Sequence, residues 1–146
     1  MIGFAEVHAD PILTGAKTET RRIGPRAHYK VGSEHLAVTN RRKPKETGFA
    51  RIRFMDCKWQ RLGEMTEAEA RAEGYPDRNS YFRAFRAINR MRDASHMTVM
   101  NQHVWAYRFK VVERLRGDGG VGIPVRPAPV GSGGQSAREV RYDTEA

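Results

Sequence analysis

The sequence predicts an α+β domain: a small, curled, mostly antiparallel β-sheet or barrel with two to three flanking helices and a flexible C-terminal tail. Three observations predict it. Residues 49–55 and 104–113 alternate with the two-residue period of strands. The clearest helix-start signals, Thr66 and Asp77, both fall between those two strands. The resulting order of strand, short helix, three strands, two helices and strand lacks the regular βαβ alternation of a parallel sheet.

Taken in order, residues 3–7 read as a first strand, with Phe4 and Ile2 turned inward. Asp10-Pro11 signals a helix start, with Asp10 as cap and Pro11 at the first helical position. This helix stops at Gly15, whose freedom at positive φ permits a sharp turn. Residues 18–23 then extend. Alternation puts Lys17, Glu19 and Arg21 on one face and Thr18, Thr20 and Arg22 on the other, an arrangement able to hold an anion or a polar heterocycle. Gly24-Pro25 breaks the strand, and a loop runs to Gly32.

Residues 34–39 form the next strand, with Leu36 and Val38 on one face. Residues 40–48 are a basic connector in which Pro44 argues against a strand. In 49–55, Ala50, Ile52 and Phe54 face one way and Arg51 and Arg53 the other, as a solvated face or a phosphate-contacting one. Thr66-Glu67-Ala68-Glu69 is a capping box opening a helix that ends at Glu73-Gly74. Asp77 caps a second helix, whose Tyr81, Phe82, Phe85, Ile88 and Met91 recur at helical spacing and read as core rather than as a base-stacking platform. Residues 97–102 are placed to cover a cleft as a flap. The last strand is apolar on both faces and so belongs in the middle of its sheet. Residues 1–115 make one domain. Residues 116–146, rich in Gly, Pro, Ser and charge, read as a flexible tail.

Composition narrows the function. No run approaches the roughly 18 apolar residues of a membrane span, and no signal pattern opens the chain. A single cysteine, Cys57, excludes an intrachain disulfide and a cysteine-rich zinc site. The five histidines fall at no metal-site spacing, so neither metal nor cofactor is expected, and the predicted setting is the reducing cytoplasm. The formal net charge is +9. It is concentrated: residues 17–58 carry 12 basic residues against 4 acidic ones. Such a segment favours phosphate-bearing partners.

Several motifs resemble one family in order and spacing. Gly15-Ala16-Lys17-Thr18-Glu19-Thr20-Arg21-Arg22 is similar to the signature of the ASCH domain, a member of the PUA-like superfamily. Tyr29-Lys30-Val31-Gly32-Ser33, Leu62 to Ala70, Ala72-Glu73-Gly74-Tyr75 and Val104 to Val112 resemble its later motifs, so the resemblance spans residues 2–114. Ser33 stands where the family usually has an aspartate, which weakens any role for a carboxylate there. The resemblance implies a PUA-like barrel with a cleft lined by the lysine motif. It also implies RNA or a modified nucleoside as partner, since proteins of this fold commonly bind RNA or modified bases. The compact form with K-T-x-T-R-R looks phage-like or bacterial. One bacterial branch is an amidohydrolase acting on N4-acetylcytidine, and its lysine, threonine and glutamate correspond by position to Lys17, Thr20 and Glu73.

Three readings of the same residues follow. In a binding protein, Lys17, Arg21 and Arg22 hold phosphate or sugar, Thr18 and Thr20 read a carbonyl or ring nitrogen, and Glu73 accepts from a base amino group. Arg41, Arg42, Lys43, Arg51 and Arg53 then extend a basic track. In an amidohydrolase, Thr20 attacks the acyl carbonyl, Lys17 is its base, and Glu73 orients the lysine or passes a proton to the leaving amine. In a structural reading, Lys17 and Glu73 are a buried ion pair that fixes the barrel mouth.

Overall fold

A computed structural model describes residues 1–116 and the backbone of 123–124. The expected tail otherwise lies outside the described residues. The strands are β1 (Ile2–Gly3), β2 (Glu19–Arg22), β3 (Glu34–Val38), β4 (Gly48–Arg61), β5 (His103–Arg114) and β6 (Ile123–Pro124). The helices are α1 (Ala9–Thr14), α2 (Pro44–Thr47), α3 (Glu67–Ala72), α4 (Arg78–Ile88) and α5 (His96–Met100). Three of them flank the sheet with six residues or more, and α2 and α5 are about one turn each.

The sheet order is β1-β3-β4-β5-β2, with β6 added on β5. Every pairing is antiparallel except β1 with β3. The doubly apolar last strand is central, as its pattern predicts. β1 and β2 end the path on opposite sides, yet Arg22 Nη2 donates to the Gly3 carbonyl at 3.0 Å. A side chain can bridge the two ends only because the sheet curls toward closure.

Two cores lie among the described residues. Ile2, Phe4, Ile12, Ile52, Phe54 and Phe109 are buried inside the curl. Leu62, Met65, Tyr81, Phe85, Val99 and Val104 form the second, between the sheet's other face and the helices. The aromatic stripe of α4 is therefore core, held at its start by Asp77, whose carboxylate accepts from the Ser80 N–H at 2.8 Å. α5 is docked by Val99, and its last residue, Met100, sits against Gly63. The segment read as a flap is thus anchored on the helical core through Val99, while Met97, Thr98 and Asn101 stay exposed.

Three local readings are corrected. The first strand stops at Gly3, and Glu6–His8 form a 3-10 turn that runs directly into α1. Asp10 is therefore not the cap: α1 begins at Ala9, whose N–H already donates to the Glu6 carbonyl. Asp10 and Pro11 sit in the first turn, where negative charge is favourable and a missing N–H is tolerated. The third correction is β4, which runs six residues beyond the predicted 49–55. A bulge between Phe54 and Asp56 shifts its phase, so Phe54 faces the core before it and Cys57 and Trp59 share that face after it. Pairing from Asp56↔Arg108 to Arg61↔His103 holds this polar extension.

Candidate functional site

Gly15 adopts φ +86°, which ends α1 and turns the chain into the lysine motif. The Lys17 N–H donates to the Pro11 carbonyl (3.0 Å) and the Thr18 N–H to that of Ala72 (3.0 Å), so the motif is tied to the end of α3. Glu73 caps that end, and Gly74, at φ +103°, turns the chain away. The Thr66 capping box fixes the other end of α3: the Thr66 hydroxyl accepts from the Glu69 N–H (3.0 Å), and the Glu69 carboxylate accepts from the Thr66 N–H (2.9 Å).

These backbone anchors bring two cations onto one carboxylate. Lys17 Nζ donates to Glu73 Oε1 (3.3 Å), to the Glu73 carbonyl (3.0 Å) and to the Glu19 carbonyl (2.9 Å). Its three protons thus have three acceptors. Arg21 Nη1 donates to Glu73 Oε2 (3.0 Å) and pairs with Glu19 (2.9 Å), while its Nε donates to Gln60 Oε1 (2.9 Å). Arg21 Nη2 makes no hydrogen bond and has Glu69 Oε2 at 3.5 Å. Gln60 and Lys58 then donate to Glu69 at 3.0 and 2.8 Å. Lys17, Arg21 and Glu73 are all buried.

The charges hold one another in place. Burial alone would ease Arg21 toward neutrality, but Glu73, Glu19 and Glu69 outweigh it and keep the guanidinium more firmly protonated than usual. Burial pushes the Glu19 carboxyl up, against the pull of Arg21. Burial also works to raise Glu69, yet donors from Lys58, Thr66 and Gln60, with the Arg21 charge, bring it down to about 2. Thr20 belongs to the other face of β2. It is buried, and its Oγ1 accepts from Arg22 Nε at 3.2 Å.

Arg22 and Arg21 border a cleft of about 600 Å³ that opens beside this network. The loop after β2 supplies Arg26, His28 and Tyr29, and Arg41 approaches from beyond β3, against Gly3. Trp105 and Tyr107 of β5 form its aromatic wall. Trp105 is fixed by its indole N–H donating to the Gly24 carbonyl at 3.1 Å, and the Tyr107 hydroxyl accepts from the His28 N–H at 2.9 Å. Among the described residues no aspartate or glutamate lines the cleft, and neither Arg26 nor Arg41 has a carboxylate partner.

Of the residues predicted from sequence, the structure gathers Lys17, Arg21 and Glu73 in the buried network, and Arg21, Arg22 and Arg41 at the cleft. Thr18 is half-buried, its backbone carbonyl accepting from the Phe109 N–H at 2.9 Å. Arg42 and Lys43 are exposed in the connector next to Arg41. Arg51 is exposed on β4, and Arg53 is engaged by Glu34 at 3.0 and 2.6 Å. Sequence reasoning missed Gln60 and Glu69 in the network and Arg26, Tyr29 and Trp105 at the cleft. For Arg26 and Tyr29 the signal was charge and aromaticity after Gly24-Pro25, and for Trp105 its place in the last strand. Among the described residues no group of three or more His, Cys, Asp or Glu could hold a metal, and no helix is long and apolar enough to cross a membrane.

No family model matches the sequence, and no curated protein matches it either. Solved structures do. A protein of Enterococcus faecalis V583, described by the family model DUF984, superposes with a TM-score of 0.59 at 14% identity, over 80% of this chain and 82% of that one. An ASCH domain from Lactobacillus crispatus JV V101 superposes with a TM-score of 0.55 at 20% identity, over 72% of this chain and 70% of that one. The curled sheet, its flanking helices and the path of the chain are what is shared at such low identity, and this chain has the fold of an ASCH domain.

Proposed function

We propose that the cleft beside β2 binds RNA or a modified nucleotide, with Arg22, Arg26 and Arg41 on phosphate and the Trp105 wall against a base. The observation that carries this reading is the lining itself: the arginines of residues 21–26 and Arg41 meet aromatic rings around one cleft, with no carboxylate among the described lining residues. A concave site of one charge sign concentrates polyanions, and arginine forks suit phosphate oxygens. The buried Lys17–Glu73–Arg21 network holds β2 and α3 in register and so acts as the scaffold of the cleft.

Titration of a single-stranded RNA oligonucleotide across a salt series tests it. Affinity should fall steeply with salt, and Arg26→Glu with Arg41→Glu should weaken binding by about tenfold or more and flatten the salt slope. Affinity indifferent to salt, or untouched by the double substitution, would overturn the proposal.

One observation favours the amidohydrolase as a second reading: Lys17 and Glu73, two of its three residues, are in contact at 3.3 Å. Two others weigh against it. Lys17 is placed as a donor to three acceptors rather than as a base, and Lys17, Thr20 and Glu73 are all closed off from solvent. Release of acetate from N4-acetylcytidine, abolished by Thr20→Ala, would revive it. No turnover at high enzyme concentration would end it.

A further inference from the structure

The aromatic wall of the cleft does not stop at Trp105. In the sheet register Arg22 of β2 pairs with Trp105 of β5, which pairs in turn with Trp59 of β4. The three side chains form one row across the same face, and Arg61 and His103 form the next row. Trp59 packs on Trp105 with ring centroids 4.5 Å apart and stacks on His103 at 5.0 Å with only 14° between ring planes.

This stack is ordered yet wet. Trp59 leaves 50% of its surface exposed, His103 is exposed, and Trp105 is half-buried. A lone exposed apolar residue means little. A tryptophan pinned by two rings, next to a cleft that one of those rings lines, is different. The ring is held in one orientation while half of its surface stays exposed, so a planar ligand meeting that surface would not have to order it. The charge around it selects the ligand: Arg22 ends the row, Arg61 stands in the next one with Glu64 at 3.6 Å, Arg26 and Arg41 lie in the adjoining cleft, and the chain carries +9 overall. The patch is aromatic and cationic rather than aliphatic. This is the composition that tracks single-stranded nucleic acid, with rings for bases and arginines for backbone. The cleft's base lies against Trp105, and Trp59 is a separate ring on the neighbouring strand, one strand spacing or roughly 5 Å away, so a base on each ring requires two nucleotides.

We infer that the Trp59–His103–Trp105 stack is a second base-binding step continuous with the cleft, and that the ligand is a single strand of at least two nucleotides. This rests on the cleft binding a nucleotide, and the test separates the two. Wild type, Trp59→Ala, Trp59→Phe and the Arg26→Glu/Arg41→Glu double variant are titrated with adenosine monophosphate and with a hexa-adenylate RNA. Circular dichroism checks that each variant is folded.

Trp59→Ala should bind the hexanucleotide about tenfold more weakly, the loss of one stacked base, and bind the mononucleotide as wild type does. Trp59→Phe should recover most of the loss, and the double variant should weaken both ligands. Hexanucleotide binding unchanged in Trp59→Ala would overturn the second step while leaving the cleft standing. Wild type binding neither ligand would overturn both. A wild-type dimer in sedimentation that Trp59→Ala converts to monomer would also overturn the inference, assigning the face to self-association.

Discussion

Glu73 is fully buried and held from two sides. Its two carboxylate oxygens serve different cations, Lys17 through Oε1 and Arg21 through Oε2. Removing it would leave Arg21 to the partly exposed Glu19 and Glu69 and would take from Lys17 its contact with the Glu73 carboxylate. The loss of one partner from a buried ion network costs about 3–5 kcal/mol, because the desolvated charges that remain are less well compensated. Glu73→Ala should therefore lower unfolding stability by that order in urea, with the midpoint falling and the slope unchanged. A loss below about 1 kcal/mol would mean that water replaces the carboxylate and that the network is not sealed. The same arithmetic bears on chemistry. Lys17 spends its donors on three acceptors that tie the fold together, and that placement opposes its use as a base.

At the scale of elements, α3 links that network to the sheet, because Glu69 lies within it and Glu73 caps it. Its start depends on the reciprocal Thr66–Glu69 hydrogen bonds. Thr66→Ala should cost about 1 kcal/mol, and Thr66→Ser should cost little, since the hydroxyl is what caps the helix. Hydrogen exchange at the Glu69 amide should report the difference, and equal protection in both variants would refute it. This helix was legible in the sequence because its signals are local: a cap, a box and a terminal glycine. The same holds for Asp77 at α4 and for Gly15. The second half of β4 was not legible. Residues 56–61 are polar, the bulge after Phe54 reverses the alternation, and only pairing with β5 makes them a strand. The site divides the same way. Lys17, Arg21 and Glu73 could be singled out by motif and charge, though 52 residues separate Arg21 from the carboxylate it meets. The Arg22–Trp105–Trp59 row could not be, because it exists only once three strands have chosen their register.

For the whole molecule, the charge network makes a prediction about acid. The chain carries 26 basic residues against 17 acidic ones, so protonating carboxylates adds repulsion to a protein that is already positive. That general effect acts on any variant. The contribution of Glu69 can be isolated from it. Its carboxyl sits at about 2 in the folded protein against an ordinary 4.5, because Lys58, Thr66, Gln60 and Arg21 favour the ionised form. A depressed carboxylate contributes stability that is present above 4.5 and lost as pH falls toward 2. Glu19 runs the other way. Its folded value is raised by burial, so its ionisation works against the fold as pH climbs past 4.5. Glu69→Gln should therefore be clearly less stable than wild type at pH 7, and the gap should close between pH 4.5 and 2. Glu19→Gln should show no such closing gap. Urea unfolding of the three proteins across pH 2–7 measures this directly. Parallel curves for wild type and Glu69→Gln would show that Glu69 is not held ionised by its donors, and would remove the electrostatic link between α3 and the strand that carries Trp59.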